Sequence, residues 1–511
     1  MRPVLPNQKK HLRPPEPAAA IEAADCGKQT NEGAKEMSEA ANSLWSGWTQ
    51  TAVSLAKSGA DIRPLLTYVP GLEPLASAGR ELIGHAESLM DRAPTEAASC
   101  YFQAGLFLAR AGLAEDAERA RASAFLAVQH AVGAGVHANP FEAAKRTWCA
   151  DTVTVSAPPR VDFGGGWSDT PPFCLDWGGT VLNIAVSING CYPIRTRLRR
   201  LDLPVVRCIS KETQETVEYR STEELLAPAA PGCAFSILRV ALQLAGIVRK
   251  GERLSTTLEA YGGGLEISTA VDLPMGSGLG TSSILGATLL QALAGMLGLP
   301  LSAHVLSDLV MVLEQRMTTG GGWQDQVGGI FPGAKLILSG PGLQQRVRVE
   351  PVTWSQERQA DFCRRFLLYY TGIRRVAKDL LRQVVGSYLA RELATVQVLH
   401  SIKTLALEMA YAMREGEWDY LGQLMDRHWR LNQALDPHTT SAAIEALLEE
   451  MRPYLAGAKL AGAGGGGVLM LLAKSAEAAR ELRARLSSGA QSGQLYQFEI
   501  AAEGLRVEIN K

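Results

Sequence analysis

Pro274-Met275-Gly276-Ser277-Gly278-Leu279-Gly280-Thr281-Ser282-Ser283 is the stretch on which the reading of the fold turns. An apolar, β-branched run from Leu265 to Leu273 leads into it, and an Ala/Leu-rich run from Ile284 to Leu297 leads out. Strand, glycine loop and helix in that order present free backbone N–H groups and a positive helix end to an anion. Gly276, Gly278 and Gly280 let the backbone approach a phosphate with no Cβ in the way. Thr281, Ser282 and Ser283 bring hydroxyls to the expected helix N-cap, where one can also ligate a magnesium ion. The loop lacks the lysine of a Walker A sequence, and its spacing is not that of a dinucleotide fingerprint. Taken alone, it also fits an ordinary helix entry.

Three other segments change that balance. Residues 157–170 read Ala-Pro-Pro-Arg-Val-Asp-Phe-Gly-Gly-Gly-Trp-Ser-Asp-Thr, and residues 457–467 read Gly-Ala-Lys-Leu-Ala-Gly-Ala-Gly-Gly-Gly-Gly. Residues 320–326, Gly-Gly-Gly-Trp-Gln-Asp-Gln, are too glycine-rich for the interior of an element. On residue chemistry, Asp325 there is either a turn residue or a carboxylate that accepts a hydroxyl proton. Glu314, near the end of a helical run from Ala303 to Arg316, reads on its own as solvated helix surface. Arg160, after Pro158-Pro159, reads on its own as a surface guanidinium.

The glycine motifs at 157–170, 274–283 and 457–467, in this order and at these separations, resemble the GHMP kinases. That superfamily holds galactokinase, homoserine kinase, mevalonate kinase and phosphomevalonate kinase. The resemblance covers roughly residues 150–511 and is specific because all three motifs recur together. The run Gly-Gly-Trp-Ser-Asp-Thr-Pro-Pro at 165–172 resembles the sugar 1-kinases that act on L-fucose.

The resemblance implies an α+β fold of two lobes with the site in the cleft between them. Its N-terminal lobe would be of the ribosomal protein S5 domain 2-like type and its C-terminal lobe α/β, after a helical segment. It also implies ATP as co-substrate, held by residues 274–283, and Mg2+ held by Ser282 and Glu314. Asp325 falls on the catalytic aspartate and Arg160 on the basic residue that pairs with it. Asp169, Trp167 and Gly465 fall on the sugar side. Galactokinases carry Glu-His where Gly166 and Trp167 stand here. That exchange suits a 6-deoxy sugar, because an indole offers an apolar wall to a methyl group. Asp162 departs from the asparagine common in galactokinases and receives no role. A heptose-phosphate kinase, whose first motif also carries a Gly-Gly-x-x-Asp core, and a non-catalytic sugar or nucleotide sensor are the rival readings. The joint presence of Arg160, Ser282, Glu314 and Asp325 argues against the sensor. The animal L-fucose kinases also carry a pyrophosphorylase-like N-terminal domain, which this sequence lacks.

Composition sets the frame. The chain has 511 residues, enough for two or three domains with their own cores. A hydrophobic fraction of 46% and a charged fraction of 20% describe an ordinary globular protein. A net charge of −1 gives no electrostatic case for nucleic acid or an anionic membrane. The eight cysteines lie singly with no C-x-x-C pair, which favours reduced thiols. The N-terminus lacks the apolar run of a secretory signal, so a cytoplasmic protein is expected.

Along the chain, residues 1–35 read as a disordered tail. Residues 36–148 read as amphipathic helices, either a module or a linker, with one clear helix from Ser99 to Val132. Residues 150–345 would form the N-terminal lobe with the ATP loop, and residues 346–511 the C-terminal lobe. Single aromatics such as His428 and Trp429, at helical positions, read as core.

Overall fold

The computed structural model describes residues 45–67, 71–135, 139–227, 235–317, 320–373, 380–488 and 493–511. The expected tail at 1–35 lies outside the described residues.

A helix over 45–57 opens the described chain. Helices α1 (Leu72–Leu89), α2 (Pro94–Arg110) and α3 (Ala114–Gly135) then fold back on one another. Pro94 stands at the first helical position, where its missing N–H costs nothing. The single helix expected from Ser99 to Val132 is instead two. It breaks at Ala111–Leu113, where Gly112 takes a left-handed φ of 80°, the usual way a helix ends. Small residues such as Ala97, Ala104 and Ala120 let the helices close tightly around Phe107.

The first lobe is built on strands β1 (Thr152–Ala157), β2 (Arg160–Gly164), β3 (Thr180–Ile188) and β4 (Ile194–Leu201). β5 (Val206–Ser210), β6 (Glu215–Tyr219), β7 (Gly264–Val271), β8 (Ala334–Leu338) and β9 (Arg348–Pro351) follow. β10 (Phe366–Tyr370), β11 (Leu455–Leu460), β12 (Val468–Ala473) and β13 (Gln494–Tyr496) make the second lobe's sheet, in the order β11-β12-β10-β13. The last strands, β14 (Phe498–Ile500) and β15 (Arg506–Asn510), cross back to the first lobe. They complete a sheet β15-β1-β4-β7-β5-β6 and a second sheet β14-β3-β8-β9, with β2 also on β3. A division at residue 345 therefore leaves the final strands with their sequence neighbours but not with their sheet partners.

β4 shows why the first sheet lies where it does. Its Ile194, Thr196 and Leu198 are buried while Arg197 and Arg199 face solvent, a strict two-residue alternation. Helix α4 (Thr281–Met296) packs on the buried side, contacting β1 and β4, and is apolar nearly all round. Helices α5 (Ala303–Arg316) and α6 (Gln324–Ile330) lean on α4. α7 (Leu380–Leu389), α8 (Leu393–Glu415) and α9 (Trp418–Leu435) belong to the second lobe.

The leading helices are not a tether hanging from this body. Val385 and Leu389 of α7 complete their core, and Ser99 donates a 2.9 Å hydrogen bond to the Leu389 carbonyl. A Cβ on Gly386 would lie 2.9 Å from the Phe102 ring, so the two surfaces meet at backbone distance. No helix among the described residues is long and apolar enough to cross a membrane.

Candidate active site

The loops at 157–170, 274–283, 320–325 and 459–467, far apart in sequence, enclose one cleft of about 310 Å³. Each arrives from a regular element that fixes it: β2, the turn between β7 and α4, the start of α6, and the β11–β12 hairpin.

The phosphate-type loop has the conformation its glycines allow. Gly276, Gly278 and Gly280 have φ of 74°, 79° and 76°, a left-handed region that costs other residues strain. A Cβ at Gly278 would also lie 2.3 Å from the Ala461 carbonyl of the third motif. The N-cap of α4 is Gly280 and makes no side-chain cap, so the expected serine or threonine cap is absent at that position. The first-turn N–H groups are thus left for an anion. Gly276, Ser277, Gly278, Gly280, Thr281 and Ser282 line the cleft. Leu279 is buried in the core and Met275 projects outward, while Pro274 is half-buried. The third motif backs this loop, since Val468 donates its N–H to the Ser277 carbonyl at 3.0 Å.

Asp325 lies in the first turn of α6 rather than in a free turn. Arg160 Nε donates to its Oδ1 at 2.9 Å, and Nη2 donates to the same oxygen. A Cβ on Gly280 would be 3.2 Å from both Asp325 Cγ and Arg160 Cγ, so the pair sits beside the N-terminus of α4. Gly328 makes that approach possible: a Cβ there would lie 2.6 Å from Arg160 Cβ. Asp325 remains 28% exposed towards the cleft, whereas Arg160 is 3% exposed. Burial opposes the charge on Arg160, and Asp325 and Asp162 more than offset it, raising its pKa.

Asp162, to which the sequence assigned nothing, ties the first motif to the third. Its Oδ2 accepts from Lys459 Nζ at 3.0 Å, its Oδ1 from the Gly462 N–H at 2.7 Å, and Arg160 Nη1 stands 3.4 Å away. Burial pushes its carboxyl up, but Lys459 and Arg160 hold it below the usual range, so it is ionised. The result is a charge chain, Lys459–Asp162–Arg160–Asp325, running from the third motif to the cleft.

Ser282 and Glu314 both line the cleft. The direct partner of Glu314 is Ser283, whose hydroxyl donates to Oε1, while Ser282 is the more exposed of the two serines. Burial chiefly, with Asp325 and Asp169 nearby, pushes the Glu314 carboxyl up to about 8. Among the described residues no three His, Cys, Asp or Glu side chains cluster to form a metal cage. A hydroxyl and one buried carboxyl group, which would give up its proton on binding the ion, with phosphate oxygens and water, is nonetheless a donor set that fits magnesium.

On the expected sugar side the three residues part company. Trp167 lines the cleft in a left-handed conformation, φ 83°, and packs with Phe173, Leu380, Val384 and Leu399. A non-glycine residue held there is strained and needs its surroundings to keep it. Asp169 is fully buried and is not part of the cleft lining. It accepts the Gln324 N–H at 3.0 Å, and burial pushes its carboxyl up to about 7. Gly465 is likewise absent from the lining, and its N–H is taken by the Thr439 carbonyl. Gly462 and Ala463 face the cleft instead. His428, read from sequence as core, also lines it.

The Asp169 shift has a consequence for stability. A carboxyl raised from 3.8 to about 7 binds its proton more tightly folded than unfolded, so its contribution is lost as pH rises through that window. The Asp169 contribution to Tm in the unliganded protein should be lost between about pH 4 and pH 7. Asp169→Asn, which keeps an acceptor for Gln324, should flatten that slope in thermal melts. Equal slopes in the two proteins would contradict the assignment.

Comparison with known proteins bears on this geometry. The GHMP kinases N terminal domain family matches residues 246–333, and the GHMP kinases C terminal family matches residues 409–491. A bifunctional fucokinase/GDP-fucose pyrophosphorylase of Arabidopsis thaliana is 39% identical over 337 residues, 66% of this chain and 31% of that protein. An L-fucokinase/L-fucose-1-P guanylyltransferase of Bacteroides fragilis is 36% identical over 360 residues, 69% of this chain and 38% of that protein. The chain thus spans about a third of the length of these relatives. A crystal structure of a D-glycero-D-manno-heptose 1-phosphate kinase from Bacteroides thetaiotaomicron superposes with a TM-score of 0.52 at 19% identity, covering 70% of this chain and 99% of that one. That likeness establishes a shared fold, the two-lobed α+β architecture described above. With both family halves present in order and the glycine loops converging on one cleft, the chain belongs to the GHMP kinase family.

Proposed function

We propose that this chain is an ATP-dependent sugar 1-kinase that converts L-fucose and ATP to L-fucose 1-phosphate and ADP. One observation carries the reading: the Arg160–Asp325 ion pair stands beside the uncapped N-terminus of α4. The 36–39% identity to two proteins named as fucokinases supports L-fucose as the substrate.

The roles follow from the charges. The amides of the 276–282 loop and the positive end of α4 hold the ATP phosphates. Asp325 accepts a hydrogen bond from the anomeric hydroxyl and aims it at the γ-phosphorus. As the O1–P bond forms and the β–γ bridging P–O bond breaks, the hydroxyl proton passes to Asp325. Arg160 faces the transferred group and spreads its negative charge. Mg2+, held by Ser282 and Glu314 with ATP oxygens, would neutralise phosphate charge. Trp167 supplies the apolar wall for the C6 methyl.

An ADP-release assay across L-fucose, L-galactose, D-arabinose, D-galactose, D-mannose and a heptose phosphate tests the reading. L-Galactose differs from L-fucose by one hydroxyl, which an indole wall leaves unpaired. That predicts a kcat/KM preference for L-fucose of roughly ten- to a hundredfold. Trp167→Ala should narrow the gap, mainly by losing activity on L-fucose. Equal use of the two sugars would remove the argument from Trp167, and turnover of the heptose phosphate alone would replace the substrate.

A further inference from the structure

His428 sits on α9, 1% exposed, and shares the cleft wall with Gly166, Trp167 and Gly462. Its two ring nitrogens are in different situations. The Gly165 N–H donates to Nε2 at 3.1 Å. A backbone N–H can only donate, so Nε2 must present its lone pair, and the neutral ring carries its proton on Nδ1. Protonating both nitrogens would set one N–H against another. Burial disfavours that form and pushes the imidazole pKa well below its usual value, with Lys459 adding to the effect. The tautomer is therefore fixed by its surroundings.

Nδ1 is buried and has no hydrogen-bond partner among the described residues. A buried donor without an acceptor is costly, and such atoms are rare in folded proteins. The ring supports the Gly165–Trp167 turn through Nε2 and itself lines the cleft beside Trp167. A sugar hydroxyl is the partner that suits it, able to accept this hydrogen while donating its own elsewhere.

We propose that Nδ1–H of His428 donates to a ring hydroxyl of the bound sugar, making His428 a specificity-determining residue of this site. The proposal rests on the sugar-kinase reading above. Through Nε2 the same ring anchors the turn that carries Trp167, so one side chain would position the apolar wall and read a polar group beside it.

Two substitutions separate these tasks. In His428→Gln the amide oxygen can take the place of Nε2 and keep the Gly165 bond, while the Nδ1 donor is lost. In His428→Asn a donor remains near the Nδ1 position and the Gly165 acceptor is lost. L-Fucose binding would be measured by calorimetry with a non-hydrolysable ATP analogue present, alongside steady-state kinetics and thermal melts. His428→Gln should weaken L-fucose about three- to tenfold in Kd and KM, with KM for ATP and Tm unchanged. His428→Asn should hold L-fucose better than His428→Gln but melt lower. Among monodeoxy analogues of L-fucose, one should bind wild type weakly yet bind His428→Gln as well as L-fucose does. Wild-type L-fucose affinity in His428→Gln, or equal losses for ATP and sugar, would overturn the contact and leave the ring a prop for the turn. Failure of the wild type to bind L-fucose at all would overturn the substrate assignment and this proposal with it.

Discussion

Asp325→Asn is expected to lower kcat by about 10²–10⁴-fold while ATP binds at wild-type strength. The asparagine keeps the shape of the side chain in the first turn of α6 and can still accept from Arg160. What it removes is the charge that, in the proposed reaction, would orient the anomeric hydroxyl and receive its proton. The loss should fall on turnover, because the proposed ATP contacts of the 276–282 loop and the N-terminus of α4 do not involve Asp325. Steady-state kinetics with a separate titration of ATP binding measures both quantities. A variant within about twofold of wild type would show that Asp325 only tethers Arg160.

Asp162→Ala is expected to be the most damaging substitution to stability, costing about 3–5 kcal/mol. It leaves Lys459, which is 0% exposed, with a buried ammonium and no carboxylate, and it deprives Arg160 of one of its two counter-charges. The Gly462 N–H would lose its acceptor as well. Asp162→Asn, which keeps an acceptor for Gly462 but no charge for Lys459, should fall between the two. Urea unfolding followed by fluorescence reads the difference. A loss below about 1 kcal/mol in Asp162→Ala would mean that water or backbone carbonyls already satisfy Lys459 without the ion pair.

How much of this was legible in the sequence depends on whether a signal was local. Strand, glycine loop and helix around 274–283 could be read because a tight strand-to-helix loop needs left-handed glycines at close spacing, and the three found there adopt that conformation. The convergence of the other glycine motifs came from their resemblance to a family, since nothing in 157–170 by itself points at 459–467. Asp162 could not be read for the same reason. Its partner Lys459 is 297 residues away, and a carboxylate among glycines looks like a turn residue until that contact is seen. His428 was hidden differently: one histidine on a helix is usually core, and only its orphaned Nδ1 in the folded chain separates it from that background. Asp169 and Gly465 had the residue types of a sugar pocket, yet neither lines the cleft: Asp169 is fully buried, and the Gly465 N–H is paired with Thr439. The break at Gly112 was missed because apolar spacing continues across the turn, and amphipathic periodicity cannot tell one long helix from two that pack together. The leading helices gave no chemical motif, and their link to the cleft runs through packing. α7 places Val385 and Leu389 in their core and Leu381 in the cleft wall.

The central claim is phosphoryl transfer from ATP to the anomeric hydroxyl of a 6-deoxy sugar in this cleft. Phosphorus NMR of a reaction containing the chain, ATP, Mg2+ and L-fucose tests it most directly. The account predicts one new resonance split by the anomeric proton, from L-fucose 1-phosphate, growing in step with ADP and absent with Asp325→Asn. A phosphate on any other hydroxyl, or no sugar phosphate while the folded chain binds ATP, would contradict it.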